Sequence, residues 1–418
     1  MTLSVFDAPG DLPAIITRDR TLAFADCARA LPPPARAIIA TPSIDTILAV
    51  YAALAAGTPL TLVHAKLPAA EQARQLDAGE LSADTAFVLY TSGSTGRAKG
   101  VMLSRAAIVA AAGASAAGLG WRDDDRWLSC LPMAHSGGLS IVVRCLLARK
   151  PVVLHDADFD AAVVLELARS RRATLLSLVP TQLAALAGAP PPPALRAVIV
   201  GGAAASPKLV ADAISRAWPI LPSYGLTETF GQIATARVPG GLPVVLPGVE
   251  IIARETLCVR GPMLATGYLG GAAIAPELVT ADLGSVDPDG TVHVTGRRDD
   301  VIVTGGEKVQ PLDVEAALCA TPGVLGACAF AVADERWGAV VGAAIAVDHN
   351  FALTDAHARW HTALANHARP RRLAIVAQLP LLASGKLDRL AIAALPTEPV
   401  VYASGDETST RISPGAVK

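Results

Sequence analysis

The stretch Tyr90-Thr91-Ser92-Gly93-Ser94-Thr95-Gly96-Arg97-Ala98-Lys99-Gly100 directly follows the apolar run Ala86-Phe87-Val88-Leu89. It reads as a buried strand delivering a polar loop. Its eleven residues hold three glycines, four hydroxyl side chains besides the tyrosine, and two cations. Glycine lets backbone N–H groups approach a ligand closely, and hydroxyls and cations complete a cradle for phosphate oxygens. A nucleotide triphosphate is the first ligand to consider. A Walker loop requires glycine immediately before its lysine and Ser or Thr after it. Here Lys99 lies between Ala98 and Gly100 and is followed by Val101-Met102-Leu103-Ser104, with no helix opening directly behind the loop. That order argues against a P-loop NTPase or a kinase.

Working outward, short apolar runs alternate with Ala- and Leu-rich helical stretches. Ala37-Ile38-Ile39-Ala40, a helix near Ile44 to Ala56, Leu60-Thr61-Leu62-Val63 and the run into Tyr90 form the first group. The runs at 127–131, 151–154, 175–179 and 197–200 form the second. This alternation predicts stacked α/β layers with parallel strands and crossover helices. After Gly240 the texture changes to short β-like pieces with Gly and Pro turns, the mark of a β-rich subdomain. The chain divides near Gly296-Arg297-Arg298-Asp299-Asp300 into a large domain over 1–298 and a small α+β domain over 299–399. A loose tail is expected over 400–418.

The 418 residues suffice for two domains, and 52% hydrophobic against 17% charged residues fits a soluble globular chain rather than a disordered one. A formal net charge of −2 without a basic block excludes a nucleic-acid footprint. Six scattered cysteines without a C-x-x-C pair exclude zinc and disulfide frameworks and fit reduced thiols in the cytoplasm. The N-terminus shows no signal-peptide pattern. The apolar segment 37–63 is broken by Pro42, Asp45, Gly57 and Pro59, so no membrane insertion is expected.

The loop T-S-G-S-T-G-x-x-K-G resembles the phosphate-binding loop of the adenylate-forming superfamily, which includes acyl- and aryl-CoA ligases. Further motifs follow in the superfamily's order. The resemblance implies that Thr91, Ser92, Gly93, Ser94, Thr95, Gly96 and Lys99 hold the ATP phosphates. In Tyr224-Gly225-Leu226-Thr227-Glu228-Thr229 it implies that Tyr224 stacks on adenine beside Gly225, Thr227 lies near the α-phosphate, and Glu228 holds Mg²⁺. Gly201, Gly202 and Ala203 would line adenine and the acyl pocket. Thr280-Ala281-Asp282-Leu283-Gly284 is similar to T-G-D-x-G, whose aspartate binds the ribose hydroxyls; Ala281 replaces the usual glycine. Arg297 would be the second ribose contact, and Asp299 the hinge about which the small domain turns between half-reactions. Gly305 and Gly306 would line the tunnel for the coenzyme A thiol. Lys386, in Ser384-Gly385-Lys386-Leu387, would reach the site during adenylation. The stretch from Glu255 to Pro262, followed by Gly267-Tyr268, reads as scaffold.

For the acid, Pro132-Met133-Ala134-His135-Ser136-Gly137-Gly138-Leu139-Ser140-Ile141 is the informative region, with Arg144 one turn on. Amino-acid-activating relatives carry an aspartate here, whereas this chain has Ala134-His135, which disfavours an amino-acid substrate. With Gln232-Ile233, the pattern is similar to that of 2-succinylbenzoate–CoA ligases. His135 would then sit beside the acyl carboxylate as a gate, with Gly138, Gly201 and Gly225 bordering the acid. The phosphate loop begins earlier in the chain than is usual for the family, so hydroxy- and aminobenzoates remain open as substrates. The implied reaction is ATP-dependent ligation of an aryl acid to coenzyme A through an acyl adenylate, and the rival acceptor is the phosphopantetheine thiol of an acyl carrier protein. A non-catalytic nucleotide-binding scaffold would not be expected to keep Lys386, Glu228 and Asp282 together.

Overall fold

The computed structural model describes residues 10–79, 81–91, 98–274 and 276–402. Contacts divide the chain into two compact units. The first holds 1–298 together with Leu381–Lys386; the second holds 299–380 and 387–418. The segment carrying Lys386 therefore belongs with the large unit, interrupting the continuous small domain expected over 299–399.

Two sheets dominate the first unit. In the five-stranded one, Ala37–Ala40, Leu60–His64 and Thr85–Thr91 run parallel, followed by antiparallel Lys99–Ser104 and Gly267–Tyr268. Helix Ile44–Ala56 makes the first crossover. It starts where Ser43 Oγ accepts the Thr46 N–H and stops at Gly57, whose φ of 68° suits only a residue without Cβ. The nine-stranded sheet runs, from one edge to the other, 243–245, 231–236, 220–226, 197–200, 175–178, 127–129, 152–154, 13–16 and 21–23. Its middle strands are parallel and its outermost strands turn back antiparallel.

Strand alternation explains why those middle strands read as unbroken apolar runs. Ile15, Val152, Leu175 and Ala197 enter one core, while their neighbours Ile16, Val153, Leu176 and Val198 enter a second core on the opposite face. A strand buried on both sides has no polar face to show. Strand Pro13–Ile16 was not apparent from the sequence, because it is short and pairs with Val152–Leu154 far along the chain.

Beyond Gly240, strands 250–253, 257–260 and 278–279 form an antiparallel sheet, and Asp282–Val286 pairs with Val292–Arg297. The second unit has a four-stranded sheet of 324–334, 338–347, 372–376 and 398–399, a hairpin at 302–309, and helices Pro311–Cys319 and Leu353–Ala363. Val400 is buried in that unit's core and Tyr402 packs against it. Order thus extends past Pro399, where the tail was expected to begin; 403–418 lie outside the described residues. No helix among the described residues is long and apolar enough to cross a membrane.

Candidate active site

Strand Ile220–Leu226 carries the Tyr224 motif to the edge of the parallel region and doubles back at a single 3₁₀ turn, Thr227–Thr229, onto strand Gly231–Ala236. The hairpin closes tightly at Gly225. A Cβ there would lie 2.1 Å from the Gly231 carbonyl oxygen, so glycine is required by the backbone itself. Tyr224 Oη donates to Asp282 Oδ2 at 2.7 Å, and Arg297 Nη1 donates to Oδ1 of the same carboxylate at 3.0 Å. Asp282 and Arg297 are cross-strand partners, which is why fifteen residues of chain bring them together. Burial and the Asp282 carboxylate push the Tyr224 phenol well above its ordinary value. The Ala281 carbonyl accepts from the Arg298 N–H at 2.8 Å, and Asp282 keeps both of its side-chain partners beside this alanine.

Glu228 sits on the 3₁₀ turn. Its Oε1 accepts a 2.9 Å hydrogen bond from Tyr268 Oη, and the Ala265 N–H donates to its backbone carbonyl. Lys99 Nζ lies 5.7 Å from the centroid of the same Tyr268 ring, and Thr91 Oγ1 donates to the Lys99 carbonyl at 3.5 Å. One tyrosine therefore links the carboxylate, the lysine and the root of the phosphate loop. Ser92, Gly93, Ser94, Thr95 and Gly96 lie outside the described residues. Tyr268 belonged to a stretch read as scaffold; no spacing rule connects it to Glu228, forty residues away.

Lys386 closes a small loop in which Leu382 N–H donates to the Lys386 carbonyl and Gly385 N–H to the Leu382 carbonyl. Thr181, at the start of helix Pro180–Leu186, donates its hydroxyl to the Gly385 carbonyl at 2.5 Å. Gly202, at φ 80°, leaves room for the lysine, since a Cβ there would come within 3.2 Å of Lys386 Cε. Burial and then Arg297 lower the Lys386 ammonium below the usual lysine range, while Glu228 opposes the shift. Cation and carboxylates thus share one electrostatic neighbourhood. Thr181, too, was missed in the sequence, because a threonine after a strand-end proline is also an ordinary helix start.

In the region where the acid was expected, His135 is the N-cap residue of helix Ser136–Ala148, and its ring lies 5.2 Å from that of His64. Burial, with His64 and Lys386 adding smaller effects, lowers His135 to about 3, so it is a neutral imidazole at physiological pH. Arg144, on the same helix, is 4% exposed. Its Nη1 donates to Gln232 Oε1 and its guanidinium carbon lies 5.6 Å from the Trp127 ring centroid. Nε and Nη2 have no partner among the described residues. Burial lowers Arg144 to about 10, which leaves it charged at neutral pH. A Cβ on Gly231 would come within 3.5 Å of Arg144 Nη2 and 3.6 Å of Ser140 Oγ, so the bare glycine leaves that space open.

The remaining residues singled out by sequence fall in three places. Gly201 packs against the Ser223 hydroxyl, and the close approach of Gly138 is to the carbonyls of Leu131 and Pro132, a helix-start contact. Ala203 and Thr227 sit in the strand-end turns beside Gly202 and Glu228. Asp299, Gly305 and Gly306 belong to the second unit. Gly305 and Gly306, at φ 57° and 89°, form the tip of the 302–309 hairpin, and the Trp337 ring covers Gly305.

The sequence profile of AMP-binding enzymes matches residues 80–269, and that of the AMP-binding enzyme C-terminal domain matches 313–386. The 2-succinylbenzoate–CoA ligase of Bacillus licheniformis is 30% identical, over 84% of this chain and 88% of the relative. The o-succinylbenzoate CoA synthetase of Bacillus subtilis, solved with its acyl-adenylate intermediate, superposes with a TM-score of 0.83 at 26% identity, covering 96% of this chain and 99% of that one. The same enzyme solved with ATP and magnesium gives a TM-score of 0.81 at 27% identity, with 94% and 98% covered.

Proposed function

The chain belongs to the AMP-binding enzyme family, and from that premise we propose that it is an ATP-dependent ligase joining an aryl carboxylic acid to coenzyme A through an acyl adenylate. The single observation that carries this reading is the convergence, within one unit, of Tyr224, Asp282 and Arg297 on one side and of Glu228 and Lys386 on the other.

A carboxylate is a poor electrophile and must be activated. Its oxygen attacks the α-phosphorus of ATP, pyrophosphate leaves, and a mixed anhydride with AMP results. Two anions must meet for this, so charge has to be offset before the transition state is reached. Lys386 supplies a cation at the reacting phosphate, and Lys99 with the Thr91 loop holds the outer phosphates. Tyr224 packs on the base while Asp282 and Arg297 take the ribose. Gly202 and Ala203 allow the nucleotide to approach the backbone. The oxygen-donor carboxylate of Glu228, oriented by Tyr268, fits Mg²⁺. When bound, the ion neutralises phosphate charge. The thiol of coenzyme A then attacks the anhydride carbonyl, forming the thioester as AMP departs. Asp299 is the pivot proposed to exchange Lys386 for the Gly305-Gly306 segment between these steps.

The acid pocket adds a chemical demand. A buried guanidinium with two unpaired nitrogens calls for an anionic partner. Arg144 therefore favours an acid bearing a second carboxylate, such as 2-succinylbenzoate, over hydroxy- or aminobenzoates. His135 is proposed to gate the reacting end as a neutral ring, with Gly138, Gly201 and Gly225 bordering the space. ATP–pyrophosphate exchange across 2-succinylbenzoate, salicylate, hydroxybenzoates and aminobenzoates, with coenzyme A added afterwards and products weighed by mass spectrometry, tests the reading. Exchange with the dicarboxylic acid and a CoA thioester is the expected result. Exchange without a thioester transfers the second step to a carrier-protein thiol, and silence with every acid overturns the assignment.

A further inference from the structure

His64 was not among the residues that the motifs pick out, and nothing in the reaction as derived uses it. It is the last residue of strand Leu60–His64, which lies parallel to Thr85–Thr91 with Leu62 opposite Leu89. Two residues further along both strands, His64 stands level with Thr91, where the phosphate loop begins. The carboxyl ends of parallel strands are where α/β sheets bind ligands. The ring is 8% exposed and touches that of His135.

Its protonation is set by the backbone. The Lys66 N–H donates to His64 Nδ1 at 3.0 Å, so Nδ1 is the bare nitrogen and the proton of the neutral ring sits on Nε2. Burial and neighbouring Lys66 disfavour a second proton. Nε2 is buried and has no partner among the described residues. Buried N–H groups are rarely left unsatisfied in native structures unless a ligand or water completes them. The place at the carboxyl end of the strand, the Lys66 N–H on Nδ1 and the unpartnered Nε2 are separate observations, and together they favour a ligand oxygen.

We propose that His64 is a substrate-contacting residue whose Nε2–H donates a hydrogen bond to an oxygen of the acid under activation, next to His135. The proposal rests on the acid-activating reading of the site. It makes His64 a neutral specificity contact for the acyl group, as distinct from the cations that meet the nucleotide.

The test uses the full chain and ATP–pyrophosphate exchange with 2-succinylbenzoate. His64→Phe keeps a flat ring packed on His135 but removes the donor; His64→Gln keeps an N–H donor at comparable reach. The expected result is an acid KM raised about 10- to 100-fold in His64→Phe, the scale of one lost hydrogen bond to a charged acceptor. The ATP KM should stay within about threefold, and His64→Gln should recover most of the acid affinity. An acid KM unchanged in His64→Phe overturns the proposal, as does equal impairment of both variants, which would make His64 a packing residue. Should His64→Phe fail to fold, ¹⁵N-histidine NMR of the wild type reads the donor directly. An Nε2–H tautomer whose proton moves downfield on adding acid and a non-hydrolysable ATP analogue supports the proposal, and an unmoved or Nδ1–H ring overturns it. Wild-type exchange with unaffected variants refutes only the role of His64, whereas a wild type silent with every acid refutes the ligase reading beneath it.

Discussion

The side of the site proposed to hold the nucleotide and the side proposed to hold the acid are built in opposite ways. Around the nucleotide, polar groups are already paired with one another: Tyr224 and Arg297 hold the two oxygens of Asp282, and Tyr268 holds Glu228. Around the acid, buried donors stand without partners, with Nε and Nη2 of Arg144 and Nε2 of His64 all unsatisfied among the described residues. The first arrangement is preorganised, so ligand binding need not reorder it. The second stores unpaired polar groups whose cost is recovered when the right acid arrives, and this is how a site rejects acids lacking the matching oxygen.

The comparison can be broken most severely at Lys386, whose ammonium feels Arg297 and Glu228 and in turn lowers His135. Lys386→Ala is expected to lower acyl-adenylate formation by about a hundredfold or more, while thioester formation from presynthesised adenylate stays within a few-fold of wild type. Single-turnover assays of the two steps check this, and equal loss in both would place the lysine's work elsewhere. Arg144→Met should raise the KM for 2-succinylbenzoate by about 10- to 100-fold and leave monocarboxylic benzoates nearly unchanged, because only the former loses an ionic partner. A uniform loss across the acid panel would mean that Arg144 merely supports the core. Tyr268→Phe keeps the ring beside Lys99 but frees Glu228, so adenylation should fall about threefold to tenfold with a higher Mg²⁺ requirement. Titrating Mg²⁺ against exchange rate would detect the difference.

A separate effect is on stability. His135 titrates near 3 in the folded chain and near 6.5 when exposed on unfolding. The unfolded chain therefore takes up a proton that the folded one refuses, and His135 weakens the fold progressively as pH falls from about 6.5 toward 3. Above pH 6.5 the residue contributes no pH dependence. Between pH 7.5 and pH 4.5 the melting temperature of wild type should fall further than that of His135→Gln, and equal falls would place the histidine in water.

What could be read in advance follows the same division. Tyr224, Glu228 and Asp282 lie in contiguous motifs because a nucleotide is gripped by turns at strand ends, and turns are local. Tyr268 and Thr181 escaped because each acts through one hydrogen bond to a residue distant in sequence, forty positions for the first and 204 for the second. His64 escaped for a different reason. A lone histidine ending an apolar run carries no signal until its neighbours show which nitrogen bears the proton. Helix Ile44–Ala56 was legible near its bounds from its apolar stretch, whereas strand Pro13–Ile16 became a strand only by finding Val152–Leu154.

By itself, the order of residues determined the α/β layering and the family's chemistry of activation, since hydrophobic period and motif order are written along the chain. Tertiary structure alone decided where Lys386 belongs, which tyrosine holds Glu228, and which buried donors stand without partners among the described residues. Those are matters of what lies within about 3 Å across separate elements, and pairing at that distance is set by packing, which sequence separation does not encode.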